Sequence, residues 1–506
     1  MKRTVKFLPE ELWYGGVVGD AEQFPLDETS VYYNNLSHNF TSHQINPIFL
    51  SNKGRYIWMS EGGEISFDGG TIVAKGPVVE TGKAGDTLKE VATAAAMKYY
   101  KPTGTTPDIR AFDGPQYCSW VVLLWHQNQE GILNYARSIV KSGYKPGLLI
   151  IDDSWQRNYG VWEFDANKFP DPHAMIKELK EMGFLVSLWM CPYVTLDAPY
   201  LSPGIFEHME DNRVIMDGNK PYIFYWWEGY SAQLDFRNPS ANKWINEQTK
   251  RLESEYGIDG YKLDGPYMYE PIEDVNKHST LWFESIDNPL KEARSCFKLA
   301  GQPIIQRLND KKHLWKSPKD KERVLGLSSI IPGIATQGLV GYYYGCADMV
   351  GGGCSSDFID TSKLDNELII RWCQASVLFP MVQFSYDVWN HPEDGMAKYC
   401  KKAVDIREKF TPYIVQLLKE ASVTGVPAVR HMEYQFPHQG FGRVIDQFML
   451  GDKYLVAPVL EKGARERNVL FPAGKWRDID DGKVYDGGSA SVNAPIDKLP
   501  VFEKID

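Results

Sequence analysis

The run Ile258–Tyr267, IDGYKLDGPY, closes a short apolar stretch on the carboxylate of Asp264 and then breaks into Gly265-Pro266. A strand that stops on an acid and turns delivers that acid to the carboxyl end of a sheet, where α/β folds keep their chemistry. Asp before Gly also caps ordinary turns, so these ten residues alone leave both readings open. Four further aspartates, Asp152, Asp153, Asp310 and Asp348, fall at predicted strand ends, in company with Trp125, Trp155, Trp189, Trp226, Trp227 and Trp315. Carboxylates converging among indoles suit a sugar. Two act as acid and nucleophile at the anomeric carbon, others hold hydroxyls, and indoles pack on the C–H faces. Each residue alone has a plainer account, because Asp is frequent at strand ends and a single Trp is more often core. The chain carries no GxSxG elbow, HExxH or P-loop, which argues against serine hydrolases, zincins and nucleotide enzymes.

Positioning such groups takes a repeating scaffold, and the middle of the chain has one. Tyr117–Trp125 is an apolar strand candidate, and Glu130–Ser142 a helix with Ile132, Ala136 and Ile139 on one face, closed by Gly143. Gly147–Ile151 is a buried-type strand running into Asp152-Asp153. Asp171 and Pro172 open the next helix as N-cap and first residue, Met175, Ile176, Leu179 and Met182 line it, and Gly183 ends it. Phe184–Trp189 is again a strand. Asn238-Pro239 opens a helix carrying Ile245, Leu252 and Tyr256, Gly257 stops it, and the Asp264 strand follows. Gln306–Asp310, Leu325–Leu339 and Tyr342–Asp348 continue the alternation. Buried-type strands alternating with helices pair in parallel, and repetition on this scale predicts a (β/α)8 TIM barrel, an α/β fold.

The flanks read differently. Residues 1–105 are short alternating stretches such as Arg55–Met59, Glu64–Phe67 and Thr71–Val73, which predict a β-sandwich-like domain ending at a linker, Gly104–Asp108. From about Ala403 a helical stretch leads to Phe448–Leu460 and the turn-rich VLFPAGKWRDIDDGKVYDGG, a small C-terminal β domain. The expected domains are 1–105, 106–410 for the barrel and 411–506.

With 506 residues and 43% hydrophobic residues the chain can bury a large core. Its 15 Trp and 28 Tyr suit a surface that stacks on flat apolar ligand faces. A net charge of −11 without a Lys/Arg block makes nucleic acid and anionic membranes poor partners. Seven Cys do not make a disulfide framework, and no CxxC pair or Cys/His cluster suggests a metal. The start, MKRTVKFLPEELWYGG, lacks the apolar run of a signal peptide, and no stretch approaches a transmembrane length. The chain is expected to be soluble, either cytoplasmic or processed and exported. Asn35-Leu-Ser and Asn39-Phe-Thr are sequons that matter only on a secretory route. Oligomeric state is open.

Several long stretches resemble glycoside hydrolase family 31, in family order and over nearly the whole chain. They are Gly160–Tyr193, Leu327–Gly353, Arg371–Pro380 (RWCQASVLFP), Gln447–Val459 and Pro472–Trp476. Within the family the α-galactosidase branch is the most similar, through IDDSWQ (151–156), WWEGYSAQLDF (226–236), YKLDG (261–265), RLNDKKHLW (307–315) and CADMVGGG (346–353). The resemblance implies Asp264 as nucleophile and Asp310 as general acid/base. It implies a glycone subsite of Asp152, Asp153, Trp189, Trp227, Lys262, Arg294, Arg307 and Asp348, with Arg294 placed by its spacing ahead of Asp310. The family's WxDMNE motif is absent. So is the glutamate that closely follows the aspartate in the nearer branch, where Gly-Pro-Tyr stands instead. Those departures bear on substrate choice more than on the nucleophile.

The implied activity is retaining hydrolysis of terminal α-linked galactose, with no metal or cofactor and a carbohydrate as partner. In such a mechanism the two carboxyl groups should stand roughly 5–6 Å apart. Lys262 and Arg294 should keep Asp264 charged, and burial or neighbouring carboxylates should hold the Asp310 pKa up. The same pair could serve α-glucosides, α-xylosides or an N-acetylated sugar, and a sugar-binding pseudoenzyme on this barrel is a third reading.

Overall fold

Eight short strands close into a parallel barrel at the centre of the chain. They are β1 (Gln116–Cys118), β2 (Leu148–Ile151), β3 (Leu185–Met190), β4 (Gly260–Leu263), β5 (Lys291–Ala293), β6 (Ile305–Arg307), β7 (Tyr344–Met349) and β8 (Met381–Phe384). The computed structural model describes residues 1–37, 44–196, 205–266, 275–318 and 324–506. The sequon at Asn39 and Tyr267 of the Asp264 motif lie outside the described residues. Every neighbouring pair is parallel, and β8 closes on β1 through Gln383 opposite Gln116. The TIM barrel expected from the alternation is the observed fold.

Local chemistry explains the helices between strands. Asp171 accepts from the Ala174 amide at 3.0 Å, and Pro172 occupies the first turn of the helix Pro172–Glu181. The helix Pro239–Tyr256 likewise begins on proline and ends on Gly257, whose φ of +75° is the left-handed cap a side chain would oppose. The apolar run 117–125 does not stay extended. Its strand stops at Cys118, and Trp120–Leu123 winds into a short helix after Ser119. The Val121 amide is taken by the Ser385 hydroxyl at 2.7 Å, so a side chain replaces the strand partner the ladder would need. Residues 294–304 carry no helix. They lay Cys296–Phe297 in parallel beside an N-terminal strand, Gln44–Ser51.

That strand belongs to the β-rich N-terminal region, whose two antiparallel sheets run Lys2–Lys6, Thr71–Lys75, Glu64–Asp68, Tyr32–Asn35 and Trp13–Val17, Gln44–Ser51, Arg55–Trp58, Glu80–Lys83. The region also contains a helix, Leu88–Tyr99, opened by a capping box in which Thr87 and Glu90 bond each other's amides. One continuous apolar core joins these sheets to the barrel, while a second core fills the C-terminal domain. There a six-stranded antiparallel sheet is built on the long hairpin Glu466–Asp478 and Val484–Asn493. The helix Met396–Thr424 runs through position 411, and the sheet begins at Val429. Among the described residues no helix is long and apolar enough to cross a membrane.

Candidate active site

The carboxyl ends of the barrel strands bring the predicted residues together. Asp264 follows β4 directly, and its amide bonds the Met190 carbonyl of β3 at 2.8 Å, which fixes where its side chain starts. Its carboxylate accepts from the Trp189 indole at 3.1 Å and from the Gly265 amide at 3.1 Å. Arg294, one residue past β5, places one terminal nitrogen 3.4 Å from Asp264 and the other 3.1 Å from Asp310. A single guanidinium therefore spans both carboxylates. Asp264 is deeply enclosed, its side chain 5% exposed, whereas Asp310 is 31% exposed toward the mouth.

Arg307 closes β6 and is fully buried, 2.6 Å from Asp310 and 2.7 Å from Asp348. Asp348 lies on β7 where the pairing with β8 shifts register, and its φ of +134° is a conformation few side chains adopt. That local twist turns the carboxylate onto Arg307 and onto the amides of Lys311 (2.6 Å) and Gly353 (3.0 Å). Glycine is required at 353 for close approach. A Cβ there would sit 2.5 Å from Asp310, 2.6 Å from Asp348 and 2.8 Å from Arg307.

The electrostatics differ from expectation at two positions. Burial pushes the Asp310 carboxyl up, but the Arg294 and Arg307 guanidiniums, with Lys262 behind them, outweigh burial and hold it below the usual range. The acid/base expected to keep its proton is ionised at rest. Lys262 is committed to Asp152 at 2.7 Å, with the Cys118 thiol 3.0 Å from the same carboxylate, and Asp264 acts on it from farther off. Burial opposes the Lys262 charge, and Asp152 overcomes that opposition.

Asp153 is a carboxyl held the other way, toward its protonated form. Burial pushes it up to about 7, with Glu228 and Asp152 adding to the effect and hydrogen bonds from Tyr159 and Trp227 opposing it. Tyr159 donates to it at 2.7 Å and the Trp227 indole at 3.3 Å. An unfolded Asp loses its proton near pH ~4, so between pH ~4 and ~7 the native state binds the extra proton and stability falls as pH rises. In thermal melts from pH 4 to 8, Asp153→Asn is expected to gain on wild type by a few degrees as pH rises from ~4 to ~7 and to hold that gap above it. A gap that stays constant with pH would refute the assignment.

Of the six indoles singled out, Trp189 and Trp227 point their N–H groups at site carboxylates. Trp155 and Trp226 are scaffold, bonded to the Trp189 carbonyl and the Ser231 hydroxyl. Trp315 bonds Asp365 at 2.9 Å, and Trp125 stands at the rim, 43% exposed. Sequence reading missed Tyr159, which carries no motif of its own, and Glu228, which lies inside WWEGYSAQLDF but is given no role there. It also missed Gln44, whose side-chain amide donates to the Arg307 carbonyl at 2.7 Å and to the Arg294 carbonyl. No signal in the N-terminal region marks Gln44 as part of a site more than 200 residues away.

Comparison with known proteins bears on the fold that carries this site. The profile of the glycosyl hydrolases family 31 TIM-barrel domain matches residues 114–307, and that of the family 31 C-terminal domain matches residues 425–505. Mouse myogenesis-regulating glycosidase is 30% identical over 79% of this chain and 57% of its own length. The alpha-xylosidase XylQ of Lactiplantibacillus pentosus is 24% identical over 90% of this chain and 61% of its own. The chain thus spans little more than half the length of these curated relatives. A Flavobacterium johnsoniae GH31 dextranase complexed with glucose superposes with a TM-score of 0.82 at 19% identity, over 99% of this chain and 66% of that one. Two domain matches covering more than half the sequence, on a barrel of this topology, place the chain in glycoside hydrolase family 31.

Proposed function

We propose that the chain is a retaining, exo-acting α-glycosidase that removes terminal α-linked galactose from oligosaccharides or glycoconjugates by double displacement. The observation that carries this reading is the single Arg294 guanidinium touching both Asp264 and Asp310, which brings an enclosed carboxylate and a more exposed one to the same point. Asp264 attacks the anomeric carbon as the bond to the leaving oxygen breaks, forming a glycosyl ester. Asp310 gives its proton to that oxygen, then takes one from the water that attacks the ester and releases the sugar. Asp152, Asp153, Trp189, Trp227, Lys262, Arg307 and Asp348 hold the glycone, and Asp153 in its protonated form can donate to a hydroxyl.

Asp310 must carry a proton when substrate meets it, yet Arg294 and Arg307 hold it ionised in the free protein. A sugar that draws Arg294 away removes one of those cations and lets the Asp310 pKa rise, so binding itself prepares the acid. The profile of kcat/KM reports the free protein and that of kcat the complex. The test is hydrolysis of aryl α-galactoside, α-glucoside, α-xyloside and α-N-acetylgalactosaminide side by side from pH 4 to 8. Preferred turnover of the galactoside is expected, with kcat/KM falling at lower pH than kcat. Turnover of another sugar alone would keep the catalytic pair and discard galactose, a reading to which the xylosidase likeness lends weight. Sugar binding without turnover would support a pseudoenzyme.

A further inference from the structure

Arg294 and Arg307 are neighbours at the barrel rim. The pairing of β5 with β6 runs through Glu292 opposite Ile305 and Ala293 opposite Gln306. In that register Arg294 and Arg307 are the next pair, and β5 has already ended. Buried carbonyls beyond the end of a ladder need partners from elsewhere. One side chain supplies them, for the Gln44 Nε2 donates to the Arg307 carbonyl at 2.7 Å and to the Arg294 carbonyl. A primary amide carries two N–H bonds on one planar group, so it can clamp two carbonyls and fix their separation. The clamp has a firm base. Gln44 is buried and sits opposite Cys296 in the parallel pairing. The Ile45 carbonyl accepts from the Lys298 amide at 3.1 Å and from the Tyr342 hydroxyl at 3.0 Å, and Asn46 donates to the Val340 carbonyl at 2.7 Å.

We infer that Gln44 is a positioning residue for the catalytic carboxylates: it fixes the backbones of Arg294 and Arg307 so that both guanidiniums stay on Asp310. The groups around Asp310 come from several elements. Arg294 reaches it from β5 and Arg307 from β6, Lys262 of β4 stands farther off, and Lys311 is next in the chain. Asp264 and Asp348 are the carboxylates that share the two arginines with it. Gln44 bonds the backbones of the two cations that pair with Asp310. Without the clamp those cations press less closely on the carboxyl, which then regains its proton at higher pH. What this says of turnover rests on the glycosidase reading, whereas what it says of the charge on Asp310 does not.

The test compares wild type with Gln44→Met, which matches glutamine in length and has no donor, and Gln44→Asn, which keeps both donors one methylene short. On whichever aryl α-glycoside wild type turns over, Gln44→Met is expected to lower kcat about tenfold. The fall of kcat/KM with rising pH should move up by about one unit toward the profile of kcat. The kcat profile should move less, since bound sugar has already drawn Arg294 away. Gln44→Asn should show a smaller shift, and it serves alone if Gln44→Met does not fold. A loss of rate with both profiles in place, or no change at all, would overturn the inference. Chemical denaturation from pH 7 down to pH ~2 reads the same placement without substrate. Wild-type stabilisation from Asp310 is present above pH ~4 and is lost in acid, and the variants have less of it to lose. The stability gap between wild type and variant is therefore expected to hold to pH ~4 and to shrink below it. A gap that stays constant would overturn the inference, because two lost hydrogen bonds alone carry no pH dependence. Failure of wild type to turn over any aryl α-glycoside would count against the glycosidase reading and leave the stability gap to decide the role of Gln44.

Discussion

Asp264→Ala is expected to lose about 10⁴- to 10⁶-fold in turnover of the preferred aryl α-glycoside while keeping its fold. The loss is large because no other carboxylate can take the same place. Asp152 is tied to Lys262, and Asp348 to Arg307 and two amides. The fold survives because Arg294 keeps Asp310 as a partner at 3.1 Å, so no buried charge is left alone. The space vacated beside the anomeric carbon should admit a small anion. Added azide is then expected to restore part of the rate and to yield a glycosyl azide of inverted anomeric configuration, read by NMR of the product. Retention of more than a tenth of wild-type turnover would show that Asp264 is not the nucleophile.

Arg307→Met is expected to be the most damaging change to stability, by about 3–5 kcal/mol at neutral pH. Its guanidinium is fully buried and balances Asp310 and Asp348 together, so its removal leaves two carboxylates facing each other in a poorly solvated site. The sign with pH follows from Asp310. Its carboxyl is held below the unfolded value, so the stabilisation is present above pH ~4 and is lost as acid protonates the group. Chemical denaturation of wild type and variant in steps from pH 7 down to pH ~2 should therefore give a difference that holds to pH ~4 and shrinks below it. A difference under about 1 kcal/mol at pH 7 would mean that solvent, not Arg307, neutralises the pair.

The features legible in the sequence are those decided locally. Asp171-Pro172 announces its helix because a cap acts on an amide three residues away, and Pro239 and Gly257 bound theirs through the fixed φ of proline and a left-handed end. Asp264 is legible because a strand end fixes where its carboxylate goes, whatever the rest of the barrel does. The capping box at Thr87 and Glu90 is equally local, yet the reading of residues 1–105 as short strands passes over its helix. The indoles were not separable, since Trp155 and Trp226 differ from Trp189 and Trp227 only in what the fold sets beside them. The proton on Asp310 was misread for a related reason. Which cations face a carboxylate depends on two other strands, and Arg294 reaches it from the neighbouring strand β5.

The bond from Gln44 bears on how such a protein can be inherited and remade. One N-terminal side chain holds the backbones of both arginines that face Asp264 and Asp310, across sequence separations of 250 and 263 residues. The parallel pairing of Cys296–Phe297 with Gln44–Ser51 stitches the same region into the barrel wall. Recombination that exchanges the barrel between relatives without its N-terminal partner should yield chains that fold but misplace Arg294 and Arg307. The catalytic unit that evolution can shuffle is therefore larger than the barrel that carries the chemistry.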